Sequence, residues 1–406
     1  MALQSTRFYK AGIWNGGNDM NIEKYLANQS LHSYALNFDP TQKDLIRITD
    51  PAGHPMGKYI PIPSGASVDQ NGTVHFTFRA PGAQSVAVQG LGGAFSERIS
   101  LCRRENGDWI GTVEGIPAGF HYHDYIVDGT RMCNDLAPVG YGDFRAINYF
   151  EIPDIDSGFY LLQDVPHGTI RMEYYNSTVT GRCRTCFVYT PPGYETHPEK
   201  RYPVLYLQHG GGETETGWIW QGKVNYIMDN LIAAGQCREM ILVMNNGYAF
   251  LPDRREHPAR GAIDLVLAKD CIPFIDQKYR TLTDRRARAV AGLSMGGFQA
   301  QAAALHFPDL FSSAGLFSCY FIIKDHYDDY TELFRDAKTF NSQFDLFFFS
   351  TGTKEANFYE QNLHTIQHLK EHGLDITYFE TPGYHEWQVW RHSFRAFATK
   401  LFRSFS

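Results

Sequence analysis

Apolar positions along the chain fall into two textures. Between residues 66 and 152 they alternate with polar ones in short runs, at 74–78, 85–89, 108–113, 122–127 and 148–152, separated by turn residues. Alternation of period two marks a strand with one buried face, and several such runs at regular spacing predict an all-β, immunoglobulin-like sandwich. Beyond residue 165 the runs become continuously apolar. The stretches 202–208, 288–291, 314–318, 346–349 and 376–380 read as strands, 288–291 and 346–349 as buried ones, and the alanine-rich 297–305 reads as a helix. The expected organisation is an unassigned extension over 1–65, a β-sandwich over 66–155 and a larger α/β domain with a doubly wound, mostly parallel sheet over 165–406. Two domains also suit the length of 406 residues, more than one core usually fills.

The strand at 288–291 runs straight into Gly292-Leu293-Ser294-Met295-Gly296, and the helix follows. A serine held between glycines on a strand-to-helix turn is the nucleophile elbow of an α/β-hydrolase; the glycines relieve the crowding of a strained turn. The pattern alone is weak, but its position between a buried strand and a helix is specific. Such a serine needs a histidine to take its proton and a carboxylate to fix the histidine's tautomer, and in this fold the chain order is serine, acid, histidine. His385 follows the strand at 376–380, and Glu355 follows the strand at 346–349. The competing acids are Asp325, Asp328 and Asp329, after the strand at 314–318; they sit in a polar, tyrosine-rich loop, so Glu355 is preferred. The oxyanion hole requires two backbone N–H groups. Met295, next to the serine, and Gly211, in the glycine run after the strand at 202–208, are the expected donors, with His209 structural.

Composition narrows the function further. A hydrophobic share of 43% with no apolar run of membrane-spanning length predicts a soluble protein with no membrane partner. The net charge of -7 is unpatterned and gives no reason to expect nucleic acid. The first ten residues lack the apolar stretch of a secretion signal, so the expectation is a cytoplasmic protein, or a secreted one whose leader has been removed. Of seven cysteines, Cys183 and Cys186 alone have a suggestive spacing, but on a strand positions three apart face opposite sides, and no second pair completes a zinc site. Reduced thiols, no metal and no organic cofactor are expected.

The stretches 189–194, 203–212, 270–276, 291–297 and 385–391 together resemble carbohydrate esterase family one, the esterase-D-like group of feruloyl, acetyl and siderophore (enterochelin) esterases. The resemblance spans about residues 165–405 and implies ester hydrolysis through an acyl-serine on Ser294, with His385 as base. Many relatives carry aspartate where this chain has Glu355, a substitution the chemistry accepts. Trp109, the 119–122 stretch and the 127–129 turn resemble family 48 carbohydrate-binding modules, although Trp109 and Tyr122 read first as sandwich core.

Trp218, Trp220, Trp387 and Trp390 flank the oxyanion loop and the histidine, where a flat acyl group would stack. The leading expectation is therefore a feruloyl esterase acting on hydroxycinnamoyl esters of plant cell-wall oligosaccharides, as in xylan degradation. A siderophore esterase is the alternative and would favour a basic cleft, for which Arg254, Arg255 and Arg260 are the candidates, although the intervening Asp253 and Glu256 read first as a solvated loop; an acetyl esterase is a third. A catalytically silent carbohydrate-binding protein is the reading of another class, and an intact Ser294, Glu355, His385 order argues against it.

Overall fold

The structure, a computed structural model, describes residues 64–253, 261–321, 334–356 and 358–403. The expected alternative acids Asp325, Asp328 and Asp329, the arginines Arg254, Arg255 and Arg260, and almost all of the N-terminal extension lie outside the described residues. The chain divides into two compact units, Met1–Gly158 and Phe159–Ser406.

Among the described residues of the first unit are ten strands: β1 (Ala66–Val68), β2 (Val74–Arg79), β3 (Val86–Gly90), β4 (Arg98–Ser100), β5 (Cys102–Arg103), β6 (Asp108–Val113), β7 (Gly119–Val127), β8 (Thr130–Met132), β9 (Val139–Gly142) and β10 (Arg145–Ile152); the five alternating runs fall on β2, β3, β6, β7 and β10. They form one sheet in the order β1-β2-β6-β5 and another in the order β4-β3-β7-β10-β9, with β8 beside β7. All the pairings are antiparallel. Phe76 of β2 meets Phe150 of β10 edge to face at 5.7 Å and Tyr125 of β7 at 6.4 Å, so apolar side chains from both sheets share one core. Trp109 is part of that core, and its indole N–H donates to the Ala80 carbonyl at 2.9 Å.

Among its described residues the second unit is built on eight strands: β11 (Thr169–Ser177), β12 (Arg182–Thr190), β13 (Val204–Gln208), β14 (Ile241–Asn245), β15 (Arg288–Leu293), β16 (Ser313–Phe317), β17 (Leu346–Gly352) and β18 (Thr377–Thr381). Their order is β11-β12-β14-β13-β15-β16-β17-β18; β11 and β12 run antiparallel, and from β14 onward every pairing is parallel. Residues of β13, β14, β15 and β16 are buried without exception, as strands covered on both faces must be. Among the covering helices are α1 (Val224–Ala233), α2 (Met295–His306), α3 (Tyr359–Glu371) and α4 (Trp387–Ala398). The strand order reverses at β13, and the crevice at the carboxyl ends of β13 and β15 is where open sheets of this kind bind ligands.

On β12 Cys183 is exposed and Cys186 buried, as their spacing required, and each cysteine of the chain is a free thiol. Among the described residues no helix is long and apolar enough to cross a membrane.

Candidate active site

Ser294 follows β15 and caps α2 with φ 50° and ψ -117°, a left-handed conformation that a non-glycine residue rarely holds. Its N–H donates to Phe317 O of β16 at 2.8 Å, which ties the strained turn to the neighbouring strand. The need for glycine at 296 is steric: a Cβ there would lie 2.6 Å from the carbonyl oxygens of Gln208 and His209. The elbow and the end of β13 therefore touch through bare backbone.

His385, on the turn between β18 and α4, brings Nε2 to 2.9 Å from Ser294 Oγ. Its other nitrogen, Nδ1, is 3.7 Å from Glu355 Oε2. Serine, imidazole and carboxylate thus lie in one line, with the acid-to-base spacing loose, as such pairs often are without substrate. The Glu355 side chain is fully buried, and Oε1 accepts a hydrogen bond from Ser318 Oγ at 2.6 Å. Among the described residues Oε2 has no hydrogen-bond partner, and it faces the histidine. The loops that carry acid and base are joined by Thr353 N–H to Thr381 O and Lys354 N–H to Gly383 O, both at 2.9 Å. A side chain at Gly352 would lie 2.6 Å from Gly383 O, so this pairing needs the glycine. Phe358 stacks on the imidazole at 5.2 Å, and Trp390 meets it at a right angle at 5.1 Å.

The glycine loop after β13 is held by His209. Its Nε2 accepts the Gly247 N–H at 2.8 Å, so the proton sits on Nδ1, which donates to Gly210 O at 2.8 Å. Burial depresses its pKa to about 4, so the ring is neutral at physiological pH. Fixing the Gly210 carbonyl also fixes the opposite edge of that peptide, the Gly211 N–H. The next amide, Gly212 N–H, is taken by Tyr248 Oη at 2.6 Å. Met295 opens α2, where the N–H has no acceptor within the helix. Neither of the expected oxyanion donors, Gly211 N–H and Met295 N–H, is taken up by these bonds.

Three of the four tryptophans require a correction. Trp218 and Trp387 are 0% and 1% exposed and Trp390 is buried as well, so none offers a ring face to a ligand; Trp220 is half-buried. They form a packed row, Trp218 to Trp387 at 5.4 Å and Trp387 to Trp390 at 5.1 Å. Trp218 Nε1 donates to Gln208 O at 2.8 Å, which braces the end of β13. Proximity in sequence to both loops reflected packing beneath them.

Sequence reasoning missed Ser318 and Glu213. Ser318, at φ 51°, follows β16 and aims its hydroxyl at Glu355. Glu213, just past the glycine loop, is buried beside Trp387, and burial pushes its pKa up to about 8. It is therefore mostly protonated at pH 7. A carboxyl whose folded pKa lies above its unfolded value binds more protons when folded, so stability falls as pH rises from about 4.5 towards 8. Glu213→Gln mimics the neutral form and should flatten that decline. In thermal melts from pH 5 to 8.5, the variant is expected to lose less Tm than the parent; an unchanged slope would place the proton elsewhere.

The family described as "Putative esterase" matches residues 177–401. An endo-1,4-beta-xylanase/feruloyl esterase of Xylanibacter ruminicola is 34% identical, over 96% of this chain and 53% of its own length. Endo-1,4-beta-xylanase Y of Acetivibrio thermocellus is 30% identical over 37% of this chain and 14% of its own. The chain thus spans about half of the first relative and a small part of the second. Among solved structures, a ferulic acid esterase of Anaeromyces mucronatus superposes with a TM-score of 0.54 at 23% identity, covering 61% of this chain and 96% of its own. The enterobactin esterase of Shigella flexneri superposes with a TM-score of 0.61 at 16% identity, covering 82% and 93%. These likenesses show an α/β-hydrolase-type fold.

Proposed function

The chain belongs to this esterase family, and on that premise we propose that it is a serine carboxylesterase that releases hydroxycinnamic acids from plant cell-wall oligosaccharides, a feruloyl esterase. The observation that carries the reading is the 2.9 Å contact of His385 Nε2 with Ser294 Oγ at a strained elbow. Ser294 Oγ attacks the ester carbonyl while His385 takes its proton, and Glu355 holds Nδ1–H towards itself and balances the imidazolium. The oxyanion is met by the Gly211 and Met295 amides. Collapse breaks the bond to the alcohol oxygen, which receives the proton from His385; water, activated by the same histidine, then frees the acid from Ser294.

The acyl preference is supported by the xylanase/feruloyl esterase relative, which is 34% identical to this chain over the matched stretch. The N-terminal unit, whose strands run from Ala66 to Ile152, fits this role as an immunoglobulin-like, carbohydrate-binding-module-like sandwich that would hold the polymer. Comparing kcat/KM for methyl ferulate, an acetylated xylo-oligosaccharide and a catecholate siderophore tests the reading. Methyl ferulate should lead by about tenfold or more, the gain from burying one aromatic acyl group. A leading rate on the siderophore or the acetate would replace it.

A further inference from the structure

Proton transfer decides which side of Ser294 each half of an ester occupies. When the tetrahedral intermediate collapses, His385 gives its proton to the departing oxygen, so the alcohol lies on the His385 side and the acyl group points away from it. His385 and Glu355 follow β18 and β17, on one side of β15; β13, β14 and β12 lie on the other. On that other side, between β12 and the loop after β14, is a pocket of about 550 Å³ lined by Thr180, Arg182, Arg184, Tyr248, Phe250 and Leu251, among others.

Tyr248 joins this pocket to the reacting centre. Its phenol oxygen accepts the Gly212 N–H at 2.6 Å, one residue beyond the Gly211 amide, and its ring lies 5.6 Å from that of His209. Arg184 is committed to the wall, since its guanidinium donates to the carbonyls of Asn246 and Tyr248. Arg182 is exposed and carries its charge into the lining, and none of the described lining residues is acidic. Two aromatic rings and a leucine supply flat apolar surface, while Arg182 and Thr180 supply donors.

We propose that this pocket takes the acyl half of the substrate, a flat aromatic acid bearing oxygen on its ring, and that Phe250 and Arg182 set the preference for it. The inference rests on the esterase reading above and adds to it the place and the residues of acyl selection, the part the buried tryptophans do not fill. An acetyl group would leave the pocket almost empty.

The test measures kcat/KM of the full chain, of Phe250→Ala and of Arg182→Ala on methyl ferulate, arabinosyl ferulate, methyl cinnamate and para-nitrophenyl acetate. Phe250→Ala should cut the ratio of methyl ferulate to para-nitrophenyl acetate by about tenfold, the worth of one aromatic contact kept in the transition state. The same cut is expected with arabinosyl ferulate, because the acyl group is unchanged. Arg182→Ala should narrow the preference for ferulate over cinnamate by about threefold or more, since cinnamate lacks the ring oxygens. Ratios equal to wild type in both variants, or losses that follow the alcohol instead of the acid, overturn the pocket while leaving the feruloyl reading intact. A wild-type protein that cleaves para-nitrophenyl acetate but neither ferulate overturns both.

Discussion

Replacing Ser294 with alanine is expected to lower kcat by about 10⁵-fold or more, because residues of a nucleophile–base unit act together and the loss of the nucleophile removes the covalent route. What remains is the attraction of the oxyanion amides for a substrate carbonyl. The backbone at 294 is tied to Phe317 O by its N–H, and that bond does not involve the hydroxyl. Alanine carries the same Cβ into the same strained turn, so Tm should stay within a few degrees of the parent. Release of ferulate followed by absorbance, with a thermal melt alongside, checks both halves. Near-parental turnover by a folded Ser294→Ala protein would remove Ser294 from the mechanism.

Glu355→Gln should cost about 10³- to 10⁴-fold in kcat, and the structure says by what route. Ser318 Oγ donates to Oε1, so a glutamine will set its carbonyl oxygen there and turn its NH2 to the Oε2 position, 3.7 Å from His385 Nδ1. An amide donor facing Nδ1 selects the tautomer with the proton on Nε2, which cannot accept the proton of Ser294. The shape is kept while the direction of the hydrogen bond reverses. Glu355→Asp, shorter by one methylene but still an acceptor, should retain more turnover than the glutamine. A loss below tenfold for Glu355→Gln would move the acid to Asp325, Asp328 or Asp329.

Much of this site was legible because its chemistry is tied to chain order. A serine elbow needs glycines next to a strand, and a hydrolase sheet needs its acid and base beyond later strands; Ser294, Glu355 and His385 satisfy those rules within the linear sequence. Ser318 obeys no such rule. Its hydroxyl reaches Glu355 only because its backbone adopts φ 51° after β16, and nothing local to a serine announces that. The tryptophans misled for the opposite reason. Trp218 and Trp387 neighbour the right loops, but each stands in the helix that follows its loop with its ring buried, and a sequence does not say which side of a loop a ring takes. The pocket was invisible because it joins β12 to the segment after β14, more than sixty residues apart, with no spacing pattern of its own.

The four parts of the proposed site hang from four different strands, with the proposed nucleophile after β15, the amide loop after β13, the proposed acid after β17 and the proposed base after β18. None of these strands can hold its part in place until its neighbours have paired, and each parallel pairing closes a long loop. Turnover is therefore a gauge of completed assembly. In refolding from denaturant, helical signal and collapse will return ahead of the enzyme's activity, and the interval between them times the closing of the sheet.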